Sequence, residues 1–160
     1  MTINAIVACD LEYGIGKNNG LPWPRNKEDM KWFKDNTEYG VVVMGRKTWE
    51  SIGCRPLKNR VNIVVSRSKV YGDCNEIYYG EMQKVLQNIE MNHRGKTVWV
   101  IGGADIYRQA LPFCDNLYLT QFQNKYDCDT HLDPVWFDRY QDLVKEVDKN
   151  ECVFKILRKI

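Results

Sequence analysis

The chain has 160 residues, 44% of them hydrophobic and 28% charged, close to globular averages, which excludes a fibrous repeat or a long disordered tract. Lys and Arg total 23 against 21 Asp and Glu, a net charge of +2 that lacks the basic excess of a dedicated nucleic-acid binder. No apolar run approaches the roughly 18 residues that would span a bilayer, and the first residues do not read as an export signal. We therefore expect a cytoplasmic protein without membrane or nucleic-acid partners, built as one domain over residues 1–160 and working as a monomer. Six cysteines (Cys9, Cys54, Cys74, Cys114, Cys128 and Cys152) form no C-x-x-C pair, so free thiols in a reducing compartment are expected rather than a zinc ribbon.

In chain order, residues 3–9 make a near-continuous apolar run, which reads as a strand covered on both faces. Gly20-Leu21-Pro22-Trp23-Pro24 then leads to a helix that starts at Asn26 as N-cap and carries Asp29 at its third position. Residues 41–44 form a second buried strand, followed by Gly45-Arg46-Lys47-Thr48 and a short helical stretch, and residues 61–65 form a third that ends in Ser66-Arg67. Met82, Val85, Leu86 and Ile89 fall at i, i+3, i+4 and i+7, an amphipathic helix that ends near Gly95. Residues 97–101 are a strand leading into Gly102-Gly103-Ala104, where a helix over 104–111 begins and Pro112 stops it. Strands follow over 117–122 and 152–157, the last after a loop-rich stretch with no crossover helix. The alternation predicts an α/β fold with a mostly parallel central sheet flanked by helices and an antiparallel C-terminal strand.

Ligands of open α/β sheets bind beyond the carboxyl ends of the strands. Three of those ends carry glycine, serine and cations: Gly45-Arg46-Lys47-Thr48, Ser66-Arg67 and Gly102-Gly103-Ala104. Glycine lets backbone N–H groups approach a phosphate, and a pyrophosphate plus a ribose phosphate, as in NADPH, would use all three turns. Plain tight turns with solvated cations are the alternative, and no G-x-G-x-x-G fingerprint is present. Asp29 also has two readings. It lies i, i+3 and i, i+4 from Trp32 and Phe33, so it is either an acid that caps Asn26 or a carboxylate at the edge of an apolar pocket. In the second case it would hold a flat ligand through an amidine-like N–H pair. His93 at a helix end and His131 in Asp129-Thr130-His131 read as structural, with no metal site and no nucleophile–histidine set around them.

Gly14-Ile15-Gly16, Leu21-Pro22-Trp23, Trp32-Phe33-Lys34, the run from Met44 through Gly45-Arg46-Lys47-Thr48 to Ile52, Ile101-Gly102-Gly103-Ala104 and Asp129-Thr130-His131 occur in this order and spacing. In these motifs the chain resembles dihydrofolate reductase in its single-domain, bacterial-length form. The resemblance implies NADPH-dependent reduction of 7,8-dihydrofolate to tetrahydrofolate, with hydride passing to pterin C6 and a proton to N5. It implies that Asp29 binds the pterin 2-amino group and N3, that Trp23 orders nearby water, and that Leu21 takes part in closing the catalytic centre. Ile6, Ala8, Met30, Phe33, Ile52 and Leu57 would line the substrate pocket, with Lys34, Arg55, Ile101 and Tyr107 at its border. Arg60 would grip the glutamate α-carboxylate, and Thr120 would support the acid. Cofactor contacts are implied for Ala8, Gly14, Ile15, Gly16, Gly20, Leu21, Gly45, Arg46, Lys47, Thr48, Ser66 and Arg67. They are implied also for Gly102, Gly103, Ala104, Asp105, Ile106 and Tyr107, with a cis bond between Gly102 and Gly103 and a mobile loop over residues 14–21. The chain departs from the pattern in an extra residue between Trp23 and Asp29, in Cys54, and in Lys58-Asn59 where Pro-Gly is common. A pyrimidine reductase of the riboflavin pathway, or a cofactor-binding protein without turnover, are the competing readings.

Overall fold

A computed structural model describes residues 2–160. The strands are β1 (Ile3–Cys9), β2 (Gly14–Gly16), β3 (Val41–Gly45), β4 (Val61–Val65), β5 (Glu76–Tyr78), β6 (Val98–Gly102), β7 (Asn116–Phe122), β8 (Thr130–His131), β9 (Tyr140–Asp148) and β10 (Cys152–Lys159). The helices are α1 (Lys27–Thr37), α2 (Arg46–Ser51), α3 (Met82–Asn92) and α4 (Ala104–Ala110). Eight strands make one sheet in the order β5-β4-β3-β6-β1-β7-β10-β9, and β2 pairs with β8 apart from it. The pairs β4–β5, β3–β4, β3–β6, β1–β6 and β1–β7 are parallel, whereas β10 runs antiparallel to both β7 and β9.

The apolar runs exist because the sheet is covered twice. Val41 and Val43 pack into one core with Val85, Leu86 and Ile89 of α3, while Val42 and Met44 point the other way, toward Trp49 and Trp99. All four are fully buried, and each such aliphatic side chain contributes about 1.5–3 kcal/mol. α3 lays its predicted stripe of Met82, Val85, Leu86 and Ile89 on the first core and ends at Asn92, with Gly95 in the left-handed region (φ 86°) just beyond.

The structure adds the short strands β2, β5 and β8, which the sequence did not reveal, and differs from the expectation in other details. The run over 97–101 pairs one residue later, as Val98–Gly102. Pro112 lies inside a short 3-10 turn, Leu111–Phe113, that continues α4. The loop-rich stretch before the last strand contains β9, nine residues long. As the edge strand it buries Tyr140 but leaves Leu143 and Val144 exposed, so it lacks the apolar run that reveals the inner strands. Since β4, β3, β6 and β1 are consecutive neighbours, their carboxyl ends lie side by side along one border of the sheet.

Candidate active site

Asn26 starts α1 by accepting a hydrogen bond on Oδ1 from the Asp29 backbone N–H at 2.9 Å. The Asp29 side chain does not return to the cap. It meets the hydroxyl of Thr120, a buried residue of β7 that sits opposite Ala8 of β1. Burial pushes the Asp29 carboxyl above its ordinary value, and the hydrogen bond from Thr120 works in the other direction. The side chain is thus engaged across the fold with β7.

Around this acid the walls are apolar. Ile6, Phe33, Ile52, Leu57 and Ile101 share a cluster with Trp49, Trp99 and Tyr118. Ala8 and Trp32 pack on Trp23, Phe122 and Phe154, with the Trp23 and Phe122 rings stacked at 4.3 Å. Trp23 is itself buried, while Leu21 is 64% exposed. Arg60 is held at the far end. Its Nη1 donates to Thr37 Oγ1 at 3.0 Å, its Nε donates to the Lys58 carbonyl at 2.9 Å, and its guanidinium lies 6.0 Å from the Phe33 ring centre. Burial pushes the Arg60 pKa down from its ordinary value, and Glu38 opposes this. Asn59 takes a left-handed conformation (φ 62°), so it keeps the tight turn for which glycine is common at this place. Met30 stands apart from these walls, 42% exposed, with its sulfur accepting from Arg25 Nε at 3.1 Å. Lys34 and Arg55 are exposed.

Beside this slot run the glycine turns. α1 has a side-chain cap, but α2 opens at Gly45 and α4 at Gly103 with no side-chain cap bond, which leaves their first N–H groups without a side-chain partner. Gly45 has to be glycine for space, because an added Cβ would come within 2.9 Å of Ile106 Cγ1. Gly102 has φ 122°, and its bond to Gly103 is cis, as the resemblance implies. Open N–H donors suit an anion, and Arg46, Lys47 and Thr48 follow Gly45 in the first turn of α2. In this structure Arg46 pairs with Glu50 at 2.7 Å, and the Ser66 hydroxyl is engaged locally, donating to the Ser68 carbonyl at 2.9 Å. Asp105 is turned toward Arg108 and Gln109, and Ile106 is buried in the main core, so what these two offer the groove is backbone. Tyr107 is buried between the two parts, and its hydroxyl donates to the Ile6 carbonyl at 2.7 Å.

Gly14, Ile15 and Gly16 form β2, paired with β8, and Asn18 N–H bonds Asp129 Oδ2 at 2.9 Å. Gly20 closes a turn with Lys17. These contacts set the 14–21 segment against the chain after β7. His93 caps α3 and pairs with Glu76 at 2.8 Å, while His131 is exposed. Two residues absent from the sequence reading matter here. Thr37 fixes Arg60, and Asp10 is a fully buried acid in the turn after β1. Neither belongs to a short motif, and only the oddity of an acid directly following an apolar strand marks Asp10. A surface groove of about 790 Å³ lies at the other end of the strands, from Thr2 to Thr97, and contains none of the candidate residues. Among the described residues no group of three or more His, Cys, Asp or Glu is placed to hold a metal ion.

The sheet order, with a half-buried carboxyl on α1 and uncapped glycine turns after β3 and β6, is that of an α/β enzyme. A family model described as dihydrofolate reductase matches residues 2–158. The chain is 38% identical over 164 residues to the dihydrofolate reductase of Haemophilus influenzae, covering 98% of each chain. It is 34% identical over 168 residues to that of Buchnera aphidicola, covering 100% of this chain and 99% of the other. Against the bifunctional dihydrofolate reductase-thymidylate synthase of Glycine max it is 36% identical over 167 residues, 94% of this chain but 31% of that protein. A structure of dihydrofolate reductase from Enterococcus faecalis, complexed with NADP(H) and RAB-propyl, superposes with a TM-score of 0.85 at 28% identity, over 99% and 96% of the two chains. The chain belongs to the dihydrofolate reductase family.

Proposed function

We infer that this protein reduces 7,8-dihydrofolate to 5,6,7,8-tetrahydrofolate with NADPH. The observation that carries the reading is the half-buried Asp29 carboxyl, bonded to Thr120, together with the uncapped glycine turns at Gly45 and Gly103. NADPH supplies a hydride when it is bound, and the substrate receives it at pterin C6. Asp29 accepts hydrogen bonds from the 2-amino group and N3–H of the pterin, which orients the ring and favours protonation at N5, with water as the direct donor. Trp23 borders that water, and Leu21 covers the reacting centre when the 14–21 segment closes. Ile6, Ala8, Phe33, Ile52, Leu57 and Ile101 exclude solvent from the rings, with Met30 at the rim. Arg60 grips the α-carboxylate of the glutamate tail with its planar fork, already oriented by Thr37. Gly45, Thr48, Gly102, Gly103 and Ala104 present backbone and hydroxyl donors to the pyrophosphate, and Arg46, Lys47, Ser66 and Arg67 take the phosphates.

The protein acts as a monomeric single domain in a reducing cytoplasm and takes no nucleic acid. The six free thiols and the net charge of +2 support that reading. No helix among the described residues is long and apolar enough to cross a membrane. The test is the decay of NADPH absorbance with purified protein and dihydrofolate, run beside NADH. Rapid oxidation that prefers NADPH is expected. Saturable NADPH binding without oxidation of the cofactor by dihydrofolate would overturn the substrate assignment, and turnover of a ribosylated pyrimidine would replace it.

A further inference from the structure

Among the described residues Asp10 is the one fully buried acid, and it sits outside the proposed pterin and phosphate sites. Its two oxygens serve two different segments. Oδ1 accepts the backbone N–H groups of Glu12 and Gly14, both at 2.8 Å, in the turn that leads into β2. Oδ2 accepts the Tyr126 N–H at 2.9 Å and faces the Cys128 thiol at 3.6 Å, both in the connection from β7 to β8. The two segments fit closely at this point: a Cβ on Gly14 would come within 2.8 Å of Cys128 Cβ and 3.1 Å of Asp10 Oδ1. Each also touches the proposed site, since Gly14 begins the 14–21 segment and Tyr126 packs edge-on to Trp23 at 6.0 Å. The two segments are also joined by the Leu11 N–H to the Asn124 carbonyl at 3.3 Å, by Lys125 to Glu12 at 3.4 Å, by Asn18 to Asp129, by Lys17 to Asp127 and by the β2–β8 pairing, but all the side chains in these links are exposed or half-exposed, whereas Asp10 is buried.

We propose that Asp10 is a positioning residue that clasps these two segments together and so sets the geometry of the segment covering the hydride-transfer centre. The proposal rests on the reductase reading given above. A carboxylate can do this because both oxygens accept and neither donates. Asparagine keeps one acceptor for Glu12 and Gly14 but turns an NH₂ group toward the Tyr126 N–H, so Asp10→Asn releases one segment and keeps the other. Asp10→Ala releases both.

The experiment compares wild type, Asp10→Asn and Asp10→Ala by single-turnover reduction of dihydrofolate, using NADPH and its 4-deuterated form, together with amide hydrogen exchange. In Asp10→Asn the Tyr126 amide should exchange faster while Gly14 stays protected. Hydride transfer should slow by about tenfold with its isotope effect intact, and the dihydrofolate KM should change little. In Asp10→Ala both amides should be exposed and transfer should be slower still. An unchanged hydride-transfer rate in folded Asp10→Asn would overturn the proposal, as would equal losses in transfer and in dihydrofolate KM. If the variants do not fold, wild-type exchange decides. Saturation with NADPH should then slow Gly14 and Tyr126 together, and a response at one without the other would sink the clasp. Should wild type transfer no hydride to dihydrofolate, the reductase reading fails and the exchange pattern of the variants tests the clasp on its own.

Discussion

The half-buried carboxyl of Asp29 and the fully buried one of Asp10 are shifted in opposite directions, and the signs carry different consequences. Asp29 has its pKa raised by burial, so between the ordinary value and the raised one the folded chain holds a proton that the unfolded chain releases. Stability then falls as pH rises from the ordinary carboxylate value through the raised one, and the penalty persists at neutral pH. Asp29→Asn removes it. Thermal unfolding should show that variant at least as stable as wild type at pH 7, with the advantage vanishing below the ordinary carboxylate range. A variant clearly less stable at pH 7 would contradict the burial argument. For Asp10, burial alone would raise the pKa, but hydrogen bonds from Tyr126, Gly14, Glu12 and Cys128 outweigh it and leave it lowered. Its stabilisation is present above the unfolded value and is lost as pH falls through the folded one. Asp10→Asn should therefore be less stable at neutral pH, with the gap closing in acid, and a constant gap would refute this. Arg60→Lys keeps the charge but loses the fork that Thr37 orients, so the KM for dihydrofolate should rise by about tenfold with kcat nearly constant. Steady-state kinetics with an unchanged KM would remove Arg60 from the substrate site.

At the scale of elements, α1 presents the acid and depends on its cap. Asn26→Ala removes the acceptor for the Asp29 N–H and should cost about 1 kcal/mol in urea unfolding. A loss near zero would mean that packing alone holds the helix start. Gly45 links β3 to α2 against α4. Gly45→Ala drives a Cβ into Ile106, so NADPH affinity should fall more than dihydrofolate affinity in equilibrium titrations, and the reverse order would contradict the assignment of this turn. Legibility followed burial. β1 and β4 were readable to the residue because both faces of the sheet are covered and their apolar runs are continuous. β5 has three residues at one edge, β2 and β8 are shorter than any periodicity can register, and β9 spreads charged residues along the other edge. The position of Asp29 on the aromatic face of α1 could be read from i, i+3 and i, i+4 spacing. Its turn toward Thr120 could not, because that contact joins residues far apart in sequence. Thr37 and Asp10 were hidden for the same reason, since both act through partners brought near by the sheet order.

For the whole molecule, parallel neighbours β4, β3, β6 and β1 gather the turns proposed for the phosphates along one border, although the chain supplies them from distant segments. A net charge of +2 leaves no strong overall field, so preference for the phosphorylated cofactor has to come from local cations. Arg67→Ala or Lys47→Ala should narrow the NADPH over NADH ratio of kcat/KM by about tenfold, leaving dihydrofolate KM in place. An unaltered ratio would move the ribose phosphate elsewhere. The central claim is that one half-buried carboxyl organises the pterin for reduction. Its most direct test is the pH dependence of hydride transfer in wild type and Asp29→Asn, measured by single-turnover NADPH oxidation with dihydrofolate. The variant is predicted to bind NADPH normally, to lose about 10²–10⁴-fold in rate at neutral pH and to recover part of it in acid. A variant that turns over at the wild-type rate at neutral pH would contradict it.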